Sequence, residues 1–140
     1  MSFREKLYWA RLSVTVLCWG YYFVSFGLAA QGAAIDVPEY QGLFLKIALL
    51  SVFLFLGVTA ILSVYDRKSA RQNEDERDRA IEQHSARISY YVLILGCFLV
   101  LSLLFSGFDG FMTFNVLLAV VVIAELIRAL LNLVSYRRGY

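Results

Sequence analysis

The chain has 140 residues, 60% of them hydrophobic and 17% charged, with a single proline and a formal net charge of +2. Such a composition excludes an ordinary soluble domain, and little chain remains outside the apolar runs to build a separate one. The small positive balance gives no argument for a nucleic-acid partner; the basic residues flank apolar runs, where lipid headgroups account for them.

Four apolar stretches follow one another, over residues 9–30, 43–64, 88–108 and 111–134. A helix needs about 20 such residues to cross a hydrocarbon layer about 30 Å thick, so each predicts a transmembrane span. Arg4 and Lys6 before the first run, and Gly27-Leu28-Ala29-Ala30 at its end, give it some likeness to a secretory signal. The run is longer than the roughly 7–15-residue core of a signal and is read as a span. Cys18, in this span, and Cys97, in the third, read as small apolar packing residues, with no disulfide framework or zinc spacing around them. The first loop, 31–42, carries Asp36 and Glu39 and no Lys or Arg. Lys46 lies in the outer part of the second span, where its stem reaches the outer headgroups.

The loop at 66–87 holds Arg67, Lys68, Arg71, Arg77, Arg79 and Arg87. Together with Arg4, Lys6 and Arg11 before the first span and Arg137 and Arg138 after the fourth, these place both termini and the loop in the cytoplasm by the positive-inside rule. Aromatics mark both boundaries: Tyr8, Trp9, Tyr65, Tyr90, Tyr91 and Tyr136 at the inner edge, and Tyr40, Phe105, Phe108 and Phe111 at the outer. Within the loop, Asn73 with Glu76 three residues on has the pattern of a capping box, and the acidic first turn suits the helix dipole. No Gly or Pro occurs from Asn73 to Leu95, so the third span is expected to begin inside the cytoplasm as one long helix.

Asp75 and Arg79 have four-residue spacing, Glu74, Asp78 and Glu82 form an acidic stripe, and Arg79, Gln83 and Arg87 form a second row. Such a charged helix reads as a solvated face or as a docking surface for a partner or a second copy, with Glu74, Asp75, Arg77, Asp78, Arg79, Glu82 and His84 as candidates. Glu82 and His84 are two apart and point in different directions, so no metal site is expected there.

In the fourth span, Glu125 lies about 4 Å past the middle at helical rise. Arg128 and Asn132 follow on the same face. A charge at the bilayer centre costs about 2.5–3.5 kcal/mol on insertion scales, so Glu125 is expected to face protein or a cavity. One reading pairs Glu125 with Arg128, with Asn132 or hydroxyls of neighbouring helices, as a polar clasp. The other makes Glu125 a proton or cation relay; a fixed pair suits the neighbouring Arg128 better. His84, the one histidine, lies outside the spans, so bis-histidine haem ligation within them is excluded. There is no zincin motif, phosphate loop or nucleophile elbow. No cofactor is expected, and no enzyme.

The chain also reads as two hairpins in tandem, 1–68 and 73–140. Ala10-Arg11-Leu12-Ser13 with Gly20 enters the first, and Ala86-Arg87-Ile88-Ser89 with Gly96 enters the third span; Tyr65-Asp66-Arg67-Lys68 and Tyr136-Arg137-Arg138 end the second and fourth. Both duplication and coincidence of boundary residues account for this.

The Asp75-Glu76-Arg77-Asp78-Arg79-Ala80-Ile81 stretch and the Tyr136-Arg137-Arg138-Gly139 ending resemble an uncharacterised family of small prokaryotic four-span membrane proteins. The resemblance covers the last half of the chain. It implies a bacterial or archaeal membrane protein, draws attention to Glu125 and the loop, and brings no assigned activity. The expected fold is all-α: four antiparallel transmembrane helices in one domain, the third extended into the cytoplasm, in the inner membrane of a prokaryote. The expected role is an interaction subunit, forming a homo-oligomer or docking a larger membrane protein. The alternative is a minimal oligomeric channel or transporter with Glu125 lining the path.

Overall fold

A computed structural model of the chain describes residues 3–32, 36–65 and 76–138. Its described secondary structure is entirely helical: α1 (Phe3–Gly32), α2 (Val37–Tyr65), α3 (Glu76–Phe105) and α4 (Gly110–Arg138). Each helix has 29 or 30 residues, about 44 Å at helical rise. That length covers a hydrocarbon core and both headgroup layers, and each helix holds a stretch apolar enough to cross a membrane. The helices outrun the apolar stretches because their polar ends are also compatible with a helix. α2 starts at Val37, six residues before the expected span. Pro38 falls in its first turn, where a missing N–H leaves no bond unmade, and Glu39 sits at the positive end of the helix dipole. α3 runs unbroken from Glu76 through the charged segment into the apolar one. The proposed cap at Asn73 lies outside the described residues.

The chain divides into two compact units, Met1–Gln72 and Asn73–Tyr140. Each is a helical hairpin, and the two are held by different chemistry.

The first hairpin packs through aromatic rings. Tyr22 of α1 is fully buried. It stacks on Phe26 at 6.4 Å and meets Trp19 and Phe44 edge-on at 6.1 and 6.4 Å. Phe26 in turn meets Tyr40 edge-on at 5.7 Å. Apolar burial alone drives helices together only weakly in lipid, so ring pairs that cross between the helices, such as Tyr22–Phe44 and Phe26–Tyr40, at about 0.5–1.5 kcal/mol each, contribute to the contact. Tyr40, expected as a boundary anchor, also donates its hydroxyl to the Ser25 carbonyl at 3.1 Å and so ties α2 to α1. Along α2 itself, Ser51, Thr59 and Ser63 donate back to the carbonyls of Ala48, Phe55 and Thr59. Back-bonding of this kind satisfies a hydroxyl within its own helix, which lets an apolar helix carry it without a partner.

The second hairpin packs through small and polar residues. On α3 the buried residues are Ile81, Ser85, Ser89 and Val100, with Gly96 closely approached; on α4 they include Leu118, Val122, Ala129, Asn132 and Leu133. A Cβ added at Gly96 would overlap both methyl groups of Val120 and lie 3.1 Å from its Cβ, so the helices meet there backbone to side chain. Small residues permit this approach, as in other membrane helix pairs. About a third of the most apolar window of α4 is buried, against 6–11% for the other three helices.

A short turn joins α3 to α4. Gly107 has φ +77°, a left-handed conformation. The Phe108 N–H donates to the Leu103 carbonyl, and the Gly107 N–H to that of Leu104. That pair of bonds closes the end of α3 as a Schellman motif. Asp109 then caps α4: its Oδ2 accepts from the N–H groups of Phe111 and Met112 at 2.9 and 3.2 Å.

Candidate functional site

The polar residues of the second hairpin gather on the half away from the turn. Asp78 accepts a hydrogen bond from the Tyr136 hydroxyl. Arg128 donates from Nη2 to Glu82 Oε1 at 2.9 Å, an ion pair whose side chains are 29% and 40% exposed. Ser85, 1% exposed, donates from Oγ to Asn132 Oδ1 at 2.6 Å, and Asn132 is itself 1% exposed. Ser89 donates to the Ala124 carbonyl at 2.7 Å. The partners advance along α3 as they retreat along α4, apart from the long Arg128, which reaches back past Asn132. The result is a four-rung polar seam.

Two features of this seam are chemically unusual. The Ser85 hydroxyl has one proton and two acceptors in reach, Asn132 Oδ1 and the Glu82 carbonyl at 3.0 Å. Turning the Asn132 amide over would let its NH₂ donate to Ser85 and leave the hydroxyl proton for Glu82. Arg128 Nε and Asn132 Nδ2, both donors, are also buried without a hydrogen-bond partner among the described residues.

The expected site residues are thus partly regrouped. Arg128 and Asn132 are engaged, but with residues of α3: the carboxylate that pairs with Arg128 is Glu82, and the amide of Asn132 meets Ser85. The expectation instead drew Arg128 to Glu125, its neighbour on the same helix. A facing helix offers the long guanidinium a second carboxylate that α4 alone does not reveal. Glu125 is half-buried; the row of α4 that meets α3 is Val120, Ala124, Arg128, Asn132 and Tyr136. Of the expected docking residues, Asp78 and Glu82 turn toward α4 and help hold the hairpin together. Arg79 and His84 are exposed. Glu74 and Asp75 lie outside the described residues, as does the side chain of Arg77. Ser85 is not among the expected residues, and Ser89 is named only as a boundary residue of the tandem hairpins, although a hydroxyl of a neighbouring helix is an expected partner of the clasp. Their spacing to each other and to Gly96, four and then seven residues, is the small-residue signature that would have found them.

The register also bears on membrane depth. Ser89 sits opposite Ala124, so Ile88, the expected start of the third span, lies level with a point roughly 10 residues, or about 15 Å, before Val134, the expected end of the fourth. Glu82 and Arg128 share one depth, although the sequence assigns one to the loop and the other to the bilayer. Leu130 and Val134 of α4 are exposed at the level where α3 exposes Gln83 and His84. At this level the exposed side chains are therefore polar on α3 and apolar on α4.

Among the described residues, no group of three His, Cys, Asp or Glu side chains is placed to hold a metal ion. Cys18 is buried and Cys97 half-buried, and both are free thiols. Lys46 is exposed on α2.

No curated protein and no solved structure matches the chain. A family model does match, over residues 20–140, reaching back into the first span beyond the half of the chain that carried the resemblance. With four membrane-crossing helices and a match over most of its length, the chain belongs to the family described as "Predicted membrane protein (DUF2178)", whose function is unknown.

Proposed function

We propose that this chain is a small interaction subunit of a prokaryotic inner membrane, with both termini in the cytoplasm, acting through assembly with copies of itself or with a larger membrane protein. The observation that supports it is how the polar groups are used. Asp78, Glu82, Ser85, Ser89, Arg128, Asn132 and Tyr136 bond across the α3–α4 seam and fix two helices. Groups engaged in this way supply structure, and they are not arranged around an open reaction centre. Large exposed apolar side chains, Phe53 at 70%, Leu95 at 70% and Phe98 at 67%, leave broad surfaces for lipid or another helix.

The test is the mass of the full-length protein extracted from its native membrane into lipid nanodiscs without detergent. A whole multiple of the 15.9 kDa chain, or a co-purifying larger membrane protein, supports the reading. A lone chain that conducts ions in vesicles, with conduction lost in Glu125→Gln, overturns it in favour of a minimal channel.

A further inference from the structure

Helix α4 carries two rows with different surroundings. Val120, Ala124, Arg128, Asn132 and Tyr136 meet α3. Ile123, Leu130 and Val134 are exposed, and Ile127 is half-buried. These four follow one another at steps of four, three and four residues, which makes a single stripe. It lies about a third of a turn round the helix from the row that meets α3.

Part of the stripe stands where lipid tails do not cover it. Asn132, midway between Leu130 and Val134, is bonded to Ser85. Ser85 lies about 8 Å at helical rise from Tyr90 and Tyr91, on the side away from the apolar run. Both tyrosines are exposed, and exposed Tyr side chains at the end of an apolar run mark the edge of the hydrocarbon. Around the same level α3 exposes Gln83, His84 and Arg87. Leu130 and Val134 therefore reach the headgroup layer, where apolar surface left open to water is costly and a protein partner relieves that cost.

We propose that this stripe pairs with the same stripe of a second copy, the two α4 helices running parallel. Copies inserted the same way round present α4 in one direction and at one depth, so each apolar residue meets its own equivalent. The spacing is that of a heptad seam, with Ile127 and Val134 at the a positions and Leu130 at the intervening d. Branched residues at a with leucine at d favour two parallel strands. The charges agree with self-pairing. The flanking residues are Ala124, Leu126, Leu131 and Leu133, all uncharged, and Glu125, Arg128 and Asn132 fall on the far side of the helix. No like charges face each other from Ile123 to Val134. The seam stops short of Arg137, whose long side chain can bend out to water. The inference rests on the assembly reading above and names the face that assembly uses.

The experiment is disulfide cross-linking of the full-length protein in its native membrane, with copper phenanthroline as oxidant. Ile123, Ile127, Leu130 and Val134 are replaced by Cys one at a time in a Cys18→Ala/Cys97→Ala chain, with Gln83→Cys as the exposed control on α3. A disulfide needs Cα atoms about 4.4–6.8 Å apart, so Leu130→Cys and Val134→Cys are expected to give about tenfold more linked dimer than Gln83→Cys. In nanodiscs, Leu130→Glu should lower the dimeric fraction about tenfold by setting like charges against each other. Co-expression of Leu130→Glu with Leu130→Lys should restore it, a recovery that misfolding does not give. Wild-type assembly in nanodiscs with no cross-link at any of the four positions overturns the pairing and leaves the assembly reading standing. So does cross-linking of these cysteines only to a different protein, or a Glu and Lys pair that fails to recover. A wild-type chain that stands alone in nanodiscs overturns both.

Discussion

Gly20 and Gly96 occupy matching places in the two hairpins, each seven residues after a serine, yet the structure gives them opposite surroundings. At Gly20 nothing lies within 4 Å of where a Cβ would stand, whereas at Gly96 a Cβ would overlap the methyl groups of Val120. Replacing a helical glycine by alanine removes backbone freedom and favours the helix by about 1 kcal/mol. Gly20→Ala keeps that gain and is expected to stabilise the protein by about 0.5–1 kcal/mol. Gly96→Ala gains the same term but must move Val120 or spread the helices, at about 1–3 kcal/mol. Its net effect is therefore a loss of up to about 2 kcal/mol, and the two sites differ by about 1–3 kcal/mol. The assay is reversible unfolding in micelles, titrated with a harsh detergent and followed by circular dichroism. Val120→Ala in the Gly96→Ala background should return most of the loss, because it removes the overlapping methyls, and the cycle of four proteins isolates that coupling. The reasoning fails if Gly96→Ala stabilises as much as Gly20→Ala, or if Val120→Ala gives no rescue.

Four further outcomes are expected by the same unfolding assay. Glu82→Gln should cost about 0.5–1 kcal/mol, a value reduced for partial exposure of the pair, and should cost little in an Arg128→Met background; equal losses in both backgrounds would show that the pair contributes nothing. Asn132→Leu should cost about 0.5–1.5 kcal/mol, the worth of its bond to Ser85, since the Ser85 hydroxyl can still donate to the Glu82 carbonyl; an equal loss in a Ser85→Ala background would show that the bond contributes nothing. Gly107→Ala should cost about 1–2 kcal/mol by forcing a side chain into the left-handed region, and Asp109→Ala about 1 kcal/mol by uncapping α4; a neutral Gly107→Ala would mean that the turn adopts another conformation.

The four helices were legible in the chain because hydropathy and length specify a membrane span almost alone. Their ends were less so: polar residues such as Arg4 to Lys6, or Val37 to Gln41, extend a helix without leaving an apolar trace. Arg128 and Asn132 stood out as costly groups in an apolar run, which a single helix reveals. Their partners did not, since Glu82 and Ser85 lie more than 40 residues earlier and only the register of two packed helices brings them near. Asp78 and Glu82 read as a solvated stripe because charge spacing fixes a helix face but not what that face meets. Tyr40 was read by its place at a boundary, and its bond to the Ser25 carbonyl depends on a neighbour that periodicity does not name.

The position of the Glu82–Arg128 pair along the hairpin also bears on how the hairpin opens. The α3–α4 turn is short and closed by its own hydrogen bonds, so those ends stay together at little entropic cost. Fraying therefore begins at the other end, beside Glu76 and Arg138. When it does, the first groups released are Tyr136 and Asp78, followed by the ion pair, at the end of the hairpin that carries the exposed arginines and meets water. A brief opening hydrates a carboxylate and a guanidinium instead of stranding them in hydrocarbon, where a lone charge is far more costly. The same four rungs placed beside Gly107 would come apart only by unzipping the whole hairpin. Their present order gives the pair of helices a soft end and a firm one.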